Sequence, residues 1–384
     1  MKVLHTADVH YSLKNLEEID KCFGFVVERS IQEKVDLAII AGDFIDEYWS
    51  SIKLEDVVLE RASERLKELA DHCPVFLLQG TYSHEHPGSL SIFSKLRAKN
   101  RIYVSEKIEQ VFLERNGWFL ENESFHSESV VVFSALPPVN KAYLMAYGDK
   151  KSKEVNHEIK DLLLDVFRGF GIVNDRCLCP TIFVGHGSIT GAEISEGQAM
   201  VGKDIEFPIQ DLRQAKCSAC CLGHIHKTQA WGEVMYSGSI CPLDFGEDDV
   251  KGFNILTFEG KELTNVDFIK TPYRKRVTVD LGANPDLDAI SKLQDGTDAF
   301  VRVRYNVDEE NRNGIRAEDI RTVFSSAHDV KIEKTIIPKE RVRSAGISQV
   351  KSLDEKIRRW GQTVNIEIPP GVLEKAKILQ ESGV

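Results

Sequence analysis

An α/β layered fold, followed by a small α+β domain and a terminal pair of helices, is the architecture this sequence predicts. Over the first 260 residues, apolar runs of four to six residues alternate with longer stretches of helical spacing. Nearly every run ends in His, Asp or Gly. After Gly260 the pattern changes, and Thr271-Pro272 makes a natural boundary. Alternating strands and helices build a layered α/β domain. In open α/β sheets the site lies at the carboxyl ends of the strands, so the polar clusters after the runs are expected to converge. The expected domains are 1–270, 271–345 and 346–384.

The runs Lys2–His5, Asp36–Ile40, Val75–Leu78, Val130–Phe133, Thr181–Val184 and Cys217–Leu222 are rich in Val, Ile, Leu, Phe or Cys, as buried strands are. Between them Ile19, Phe23, Val26 and Val27 keep helical spacing, as do Leu54, Val58, Ala62, Leu66 and Leu69. Val155, Ile159, Leu162, Leu163, Val166 and Phe170 form the longest stripe. In the small domain, Val277–Leu281, Ala299–Tyr305 and Lys331–Ile337 read as strands. Asp286–Lys292 and Ala317–Ser326 read as helices. Leu353, Ile357 and Trp360 mark one terminal helix, Pro369-Pro370-Gly371 break the chain, and Val372 to Gln380 form a second. Such a pair is either a docking element or packs on its own chain.

The chain has 384 residues, 42% hydrophobic and 28% charged. That is ordinary for a globular protein and excludes wholesale disorder. No apolar run approaches the ~20 residues of a bilayer span. Met1 to His10 carries no apolar signal core, so a cytoplasmic protein with no membrane association is expected. The 49 Lys and Arg face 60 Asp and Glu, a net charge of −11. A chain so acidic is not built to coat DNA unaided, because non-specific DNA affinity comes mainly from Lys and Arg. A local basic groove, bound metal ions or a basic partner would answer this. The eight cysteines are not spaced as a disulfide framework and fit a reducing compartment.

The residues after the runs are Asp8 and His10, Asp43, His84 with Glu85, His186, and His224 with His226. Carboxylate and imidazole together suit divalent metals such as Mn, Fe and Zn. Asp8 and His10 are two residues apart, as are His224 and His226, so each pair can turn to one face beyond a strand end. Two such pairs with Asp43 between them would fill the shells of two metals about 3.5–4 Å apart. Any one of these residues alone would read as a cap or a satisfied polar group. His5, His72, His126, His157 and His328 are read that way.

Asp-Val-His, Gly-Asp, Gly-x-x-x-His-Glu in place of Gly-Asn-His-Asp, Gly-His and Gly-His-Ile-His occur in the order found in calcineurin-like metallophosphoesterases, which the chain resembles. Tyr236-Ser-Gly-Ser-Ile-Cys-Pro-Leu-Asp-Phe-Gly-Glu247, then Lys251-Gly-Phe253, narrows the resemblance to SbcD-type DNA repair nuclease subunits. It covers roughly residues 1–260, and beyond them rests on architecture alone. It implies a layered calcineurin-like sandwich with a small α+β capping domain and a C-terminal helix pair. It implies one metal held by Asp8, His10, Asp43 and His226, and a second by Asp43, His186 and His224, with Asp43 bridging. Mn²⁺ is the expected ion. His84 matches the family's catalytic histidine, and a water between the metals is the nucleophile. The implied function is a two-metal phosphodiesterase cleaving DNA as exonuclease or endonuclease, the nuclease subunit of an SbcCD-like repair and recombination complex. The alternatives are a phosphodiesterase for a nucleotide or other small molecule, and a metal-poor scaffold subunit for an SMC-like ATPase.

The chain departs from the family in two places. The motif's Asn, which completes metal two, aligns with Ser83 when His84-Glu85 is the anchor, and Thr81 lies two residues earlier. Ser83 is accordingly the candidate ligand, a hydroxyl being a weaker donor than a carboxamide oxygen. Phe44-Ile45-Asp46-Glu47 puts a carboxylate where these nucleases often carry a histidine near the DNA.

No G-x-x-x-x-G-K-[ST] stretch occurs, so ATP-driven work needs a partner. The resemblance supplies an SbcC-type coiled-coil ATPase, docked on the terminal helices, and a homodimer formed through Leu54–Ala70 and Ser89–Leu96. Val57, Val58, Leu66, Leu90, Ile92 and Phe93 exceed what one helix face against a sheet requires, and either pair two copies or pack within the domain. Cys217, Cys220 and Cys221, with Cys177 and Cys179, are read as buried thiols in preference to a zinc site. Arg274, Lys275, Arg276, Arg302, Arg304, Lys339, Arg341 and Arg343 either meet phosphates or balance nearby acids.

Overall fold

The structure, a computed structural model, describes residues 1–46, 56–121, 129–139, 152–198, 206–285, 297–338 and 347–381. The chain divides into two compact units: Met1–Val279 with Asp295–Arg302 and Ser326–Lys331, and Asp280–Gln294 with Val303–Ser325 and Ile332–Val384.

The first unit is built from β1 (Lys2–Thr6), α1 (Leu16–Glu33), β2 (Leu37–Ile40), α2 (Val57–His72), β3 (Val75–Leu78), β4 (Ile102–Ser105), β5 (Glu109–Glu114), β6 (Phe119–Glu121) and β7 (Ser129–Leu136). It continues with α3 (Ser152–Asn174), β8 (Thr181–His186), β9 (Ser188–Ile189), β10 (Glu206–Phe207), α4 (Ile209–Leu212), β11 (Ala219–Gly223), β12 (Gln229–Trp231), β13 (Val234–Tyr236), β14 (Gly252–Glu259) and β15 (Glu262–Lys270). One sheet has the order β15-β14-β1-β2-β3-β4, the other β12-β13-β11-β8-β7-β5-β6. β1 to β4 run parallel, as do β7, β8, β11 and β13.

Strand side chains alternate between faces, and the alternation here sorts the core into layers. Val3, Leu37, Ile39, Phe76 and Leu78 of the first sheet meet Val131, Phe133, Ile182, Val184 and Cys221 of the second. Leu4, Ala38, Ile40, Val75 and Leu77 turn to the other face, against α1 and α2. Phe183, Cys220 and Leu222 turn outward onto Ile159, Leu163 and Phe167 of α3. The result is a two-sheet sandwich with helices on both outer faces, the layered α/β fold the sequence predicts. Asp56 begins α2 by accepting hydrogen bonds from Val58 N and Leu59 N, both at 3.1 Å; Leu54 lies outside the described residues.

The six predicted runs are strands, Val75–Leu78 with the same ends and the others with ends shifted by up to three residues. The β14–β15 hairpin was not among them, although β14 pairs antiparallel with β1 and extends the first sheet. β15 is an edge strand exposed along most of its length and so carries no apolar run. Of the six apolar residues considered for a dimer, Val58, Leu66, Leu90 and Phe93 are buried in the domain's own core, Ile92 packs against it, and Val57 is exposed. Five of the six thus contribute to packing within the domain. Among the described residues, no helix is long and apolar enough to cross a membrane.

After β15 come β16 (Arg276–Ala283), β17 (Phe300–Asp308), α5 (Ala317–Val323) and β18 (Asp329–Ile337), and the three strands form a sheet in the order β16-β17-β18. The segment Asp286–Lys292, read as a helix, lies outside the described residues. In the second unit, α6 (Leu353–Thr363) and α7 (Pro370–Glu381) pack on each other. They leave Trp360, Val364, Ile366, Val372, Ile378 and Leu379 exposed.

Candidate metal centre

Parallel strands from both sheets end at one rim of the sandwich. β1 leads to Asp8 and His10, β2 to Asp43, β3 to Thr81 and His84, β8 ends on His186, and β11 leads to His224 and His226. The first sheet's ladder continues past its strands, with Asp8 N donating to Gly42 O at 3.1 Å and His10 N to Asp43 O at 2.9 Å. Four of the site residues bend the backbone into the left-handed region: Asp8 (φ 51°), His10 (54°), Asp43 (48°) and His224 (98°). Such conformations cost ~1–3 kcal/mol each and cluster where side chains must be aimed. Two glycines permit the approach. A Cβ on Gly80 would lie 2.1 Å from Asp43 N, and one on Gly42 2.2 Å from His186 Nδ1.

Three three-residue groups of potential ligands result, one of them His10, Asp46 and His84. Asp8, His10 and His226 each bring a ligand atom within 4.8 Å of the others, and so do Asp43, His186 and His224. Asp43 faces both, with Oδ2 3.7 Å from His10 Nε2 and 3.2 Å from His186 Nε2. The residues the sequence singled out are thus brought together, with one exception. Ser83 is exposed at the cleft. Thr81 is the hydroxyl that reaches the second cluster, its Oγ1 3.2 Å from both Asp43 Oδ2 and His186 Nε2. Tyr82 and Ser83 separate Thr81 from His84, and of the two Ser83 is exposed.

The imidazoles turn ring nitrogens toward the centre. His10 Nε2 is buried with no hydrogen-bond partner. Burial drives the His10 pKa down to about 4, which keeps the ring neutral. His186 Nδ1 hydrogen-bonds Ala41 O at 2.9 Å and His226 Nδ1 meets Glu247 Oε1 at 3.0 Å, leaving each Nε2 for the centre. Burial opposes charge on Asp43, yet the histidines around it, His186 foremost, hold its carboxyl well below the usual range. An orphaned buried imidazole nitrogen beside an ionised, shared carboxylate is a donor set that fits divalent cations.

His84 stands next to this centre, its ring centroid 4.9 Å from that of His10. Its Nδ1 is 2.5 Å from Asp46 Oδ1. Burial lowers its pKa, but the Asp46 hydrogen bond and the Asp43 and Asp46 charges outweigh burial and hold it above the ordinary histidine value. Asp46, noted in the sequence as an unusual carboxylate, is the partner that orients this ring. Glu85 ties the β2 and β3 loops together, accepting from Phe44 N at 2.6 Å, Ile45 N at 3.0 Å and Gly80 N at 2.5 Å.

Sequence reasoning missed three supports. Gln198 clamps the last motif, Nε2 donating to His224 O at 2.7 Å and Oε1 accepting from His226 N at 3.1 Å. Glu247 holds His226, and the fully buried Lys251 holds Glu247 Oε2 at 2.7 Å. The Glu247–Lys251 pair was visible as part of the quoted signature, four residues apart, but nothing marked it as buried. The open cleft, about 570 Å³, is lined by His10, Asp43, Asp46, His84, His224 and His226 among others.

The remaining candidates resolve toward structural roles. His5 is buried, with Nε2 3.2 Å from Leu222 O. Cys220 and Cys221 are buried strand thiols, and among the described residues no cysteine joins a group with metal-ligand geometry. Arg274 pairs with Glu18 at 2.6 Å and Asp298 at 2.7 Å, Arg302 donates to Thr278 Oγ1, and Arg304 pairs with Glu333 at 2.7 Å. Arg276 donates to Asn15 Oδ1 and Pro242 O. Lys339, Arg341 and Arg343 lie outside the described residues.

Comparison with known proteins agrees with this geometry. The chain is 25% identical over 299 residues to "DNA double-strand break repair protein Mre11" of Aeropyrum pernix, covering 73% of this chain and 64% of that protein. It is 19% identical over 265 residues to "Putative phosphoesterase 244L" of Invertebrate iridescent virus 6, covering 68% of this chain and 78% of that one. A dimetal phosphatase from Danio rerio is similar in structure at 11% identity and a TM-score of 0.42, covering 70% of this chain and 98% of that chain. The profile of the Calcineurin-like phosphoesterase family matches residues 1–228, and the chain belongs to that family.

Proposed function

We propose that this chain is a two-metal phosphodiesterase that cleaves DNA, the nuclease subunit of an SbcCD-like repair complex. The observation that carries the reading is Asp43 set between two ligand clusters at an open cleft, with His84 beside them. Asp8, His10 and His226 would hold one cation and Asp43, His186 and His224 the other, with Asp43 shared. Bound there, two cations lower the pKa of water and neutralise phosphodiester oxygens. The histidines and carboxylates bind and orient. Asp46, on His84 Nδ1, leaves Nε2 to carry the proton that the departing oxygen takes up. The relative named for double-strand-break repair favours DNA over a small molecule, since its similarity spans 299 residues. Mn²⁺ is the proposed ion, as the centre mixes carboxylate and imidazole.

The ATPase partner belongs to the same proposal. The apolar residues that α6 and α7 leave exposed, Trp360 at 45% and Ile366 at 53%, support docking there. A homodimer is part of it as well, and Val57 of α2 is an exposed apolar residue among the described residues of the segments considered. The test is cleavage of linear double- and single-stranded DNA with Mn²⁺, Mg²⁺ or Zn²⁺, beside a cyclic nucleotide and a simple aryl phosphodiester. Manganese-dependent DNA cleavage is expected. Turnover of the small esters with DNA left intact would favour the small-molecule reading.

A further inference from the structure

Thr81 occupies a fixed place in the second cluster. Its main-chain N–H donates to Asp43 Oδ1 at 2.5 Å, and its Oγ1 lies 3.2 Å from both Asp43 Oδ2 and His186 Nε2. The backbone around it has little freedom. Gly80 N is held by Glu85 Oε2 at 2.5 Å, and a Cβ at Gly80 would collide with Asp43. On the other side, His84 N and Glu85 N both donate to Thr81 O, at 2.9 and 2.8 Å, closing a turn that carries Ser83 out to solvent. The hydroxyl therefore sits among two of the three ligand residues of that cluster because the main chain puts it there. The first cluster consists of Asp8, His10 and His226, one carboxylate and two imidazoles.

We infer that Thr81 Oγ1 is the neutral oxygen donor of the second metal position, and that it makes this position the weaker of the two. An alcohol oxygen is a poorer donor to a divalent cation than a carboxamide oxygen. It also has to give up its hydrogen bonds to Asp43 and His186 when the cation arrives. The two cations therefore bind in sequence, one firmly at Asp8, His10 and His226, the second only at higher metal concentration. This rests on the two-metal reading proposed above and concerns how the centre fills.

The experiment is titration of the metal-free full-length protein with Mn²⁺, reading bound ions by calorimetry and free Mn²⁺ by electron paramagnetic resonance. Wild type is expected to bind two ions in two steps, the second at least about 10-fold weaker. Thr81→Val, close in shape but without the hydroxyl, is expected to lose the second step, Thr81→Ser to keep it, and Ser83→Ala to match wild type. Thr81→Asn is expected to tighten the second step by about 10-fold or more, which a hydroxyl that merely orients Asp43 would not lead to. Circular dichroism melts establish that each variant folds, and Thr81→Ser and Ser83→Ala keep the test decisive if Thr81→Val does not. Two steps unchanged in Thr81→Val, no tightening in Thr81→Asn, or loss of the second step in Ser83→Ala would overturn the assignment and leave the two-metal reading standing. Two ions bound in a single step would overturn this inference alone, and only one ion bound in wild type would overturn the two-metal reading with it.

Discussion

Lys251→Met tests whether the buried charge network behind His226 stabilises the fold as its geometry requires. The Lys251 and Glu247 side chains are both 0% exposed and 2.7 Å apart, and Asp249, 15% exposed, is 2.9 Å from the same ammonium. Lys251 Nζ also donates to His226 O at 3.0 Å. Methionine keeps much of the volume and removes the charge, so the loss reads as electrostatic and not as a cavity. Removing one member of a buried pair costs ~3–5 kcal/mol, because the other charge is left buried and unpaired. The Glu247 carboxyl reports on the same network as a whole. Burial pushes the Glu247 carboxyl up, but His226 and Lys251 together bring it down to about 2 from the ordinary 4.5. That difference corresponds to roughly 3 kcal/mol, shared between the two partners. A loss of about 3 kcal/mol lowers the melting temperature by ~6–12 °C in a domain of this size.

The pH dependence has a definite sign. In the wild type the folded pKa of Glu247 lies below its unfolded value, so its contribution is present above about 4.5 and lost as pH falls through about 2. In the variant, burial acts without the ammonium and favours the neutral acid. The deficit should therefore be largest at neutral pH and shrink toward about pH 5. Urea unfolding of both proteins at the two pH values measures it. A loss under about 1 kcal/mol at neutral pH, the size of an exposed pair, or a deficit that grows on acidification, would refute the reasoning.

His84→Asn is expected to retain both metals by elemental analysis and lose about 10²–10⁴-fold in turnover; one ion missing would make His84 a ligand. Asp46→Asn removes the acceptor that holds the His84 pKa up, so the alkaline limb of the pH–rate profile should move to lower pH, and an unmoved limb would take the proton role away from His84. Asp43→Ala removes the carboxylate that faces both clusters, so metal content should fall for both ions, and undiminished metal content or activity would remove its bridging role.

The metal-ligand candidates were legible in the sequence because parallel strands deliver whatever follows them to one edge. Asp8, His10, Asp43, His186, His224 and His226 each follow or end such a strand, and each lies in one of the two clusters. The layering was legible for the same reason, since β1, β2, β3, β8 and β11 are short apolar runs buried on both faces. A strand without an apolar run of its own was not. β15 is mostly exposed and is a strand because β14 offers it an edge.

Residue type and spacing by themselves determined which chemistry the chain can perform, because ligand atoms are a property of the side chains and strand ends bring them together. Tertiary structure alone decided which atoms do it. Counting back from His84-Glu85 selects Ser83, whereas the path of the loop brings Thr81 inward. Val58, Leu66, Leu90 and Phe93 read equally as interface or core until packing places them inside. Nothing in the sequence marks Lys251 as buried, yet it is fully buried with Glu247 and Asp249 converging on it. In each case the deciding term is burial and the contacts it forces, and these depend on chain segments distant in sequence.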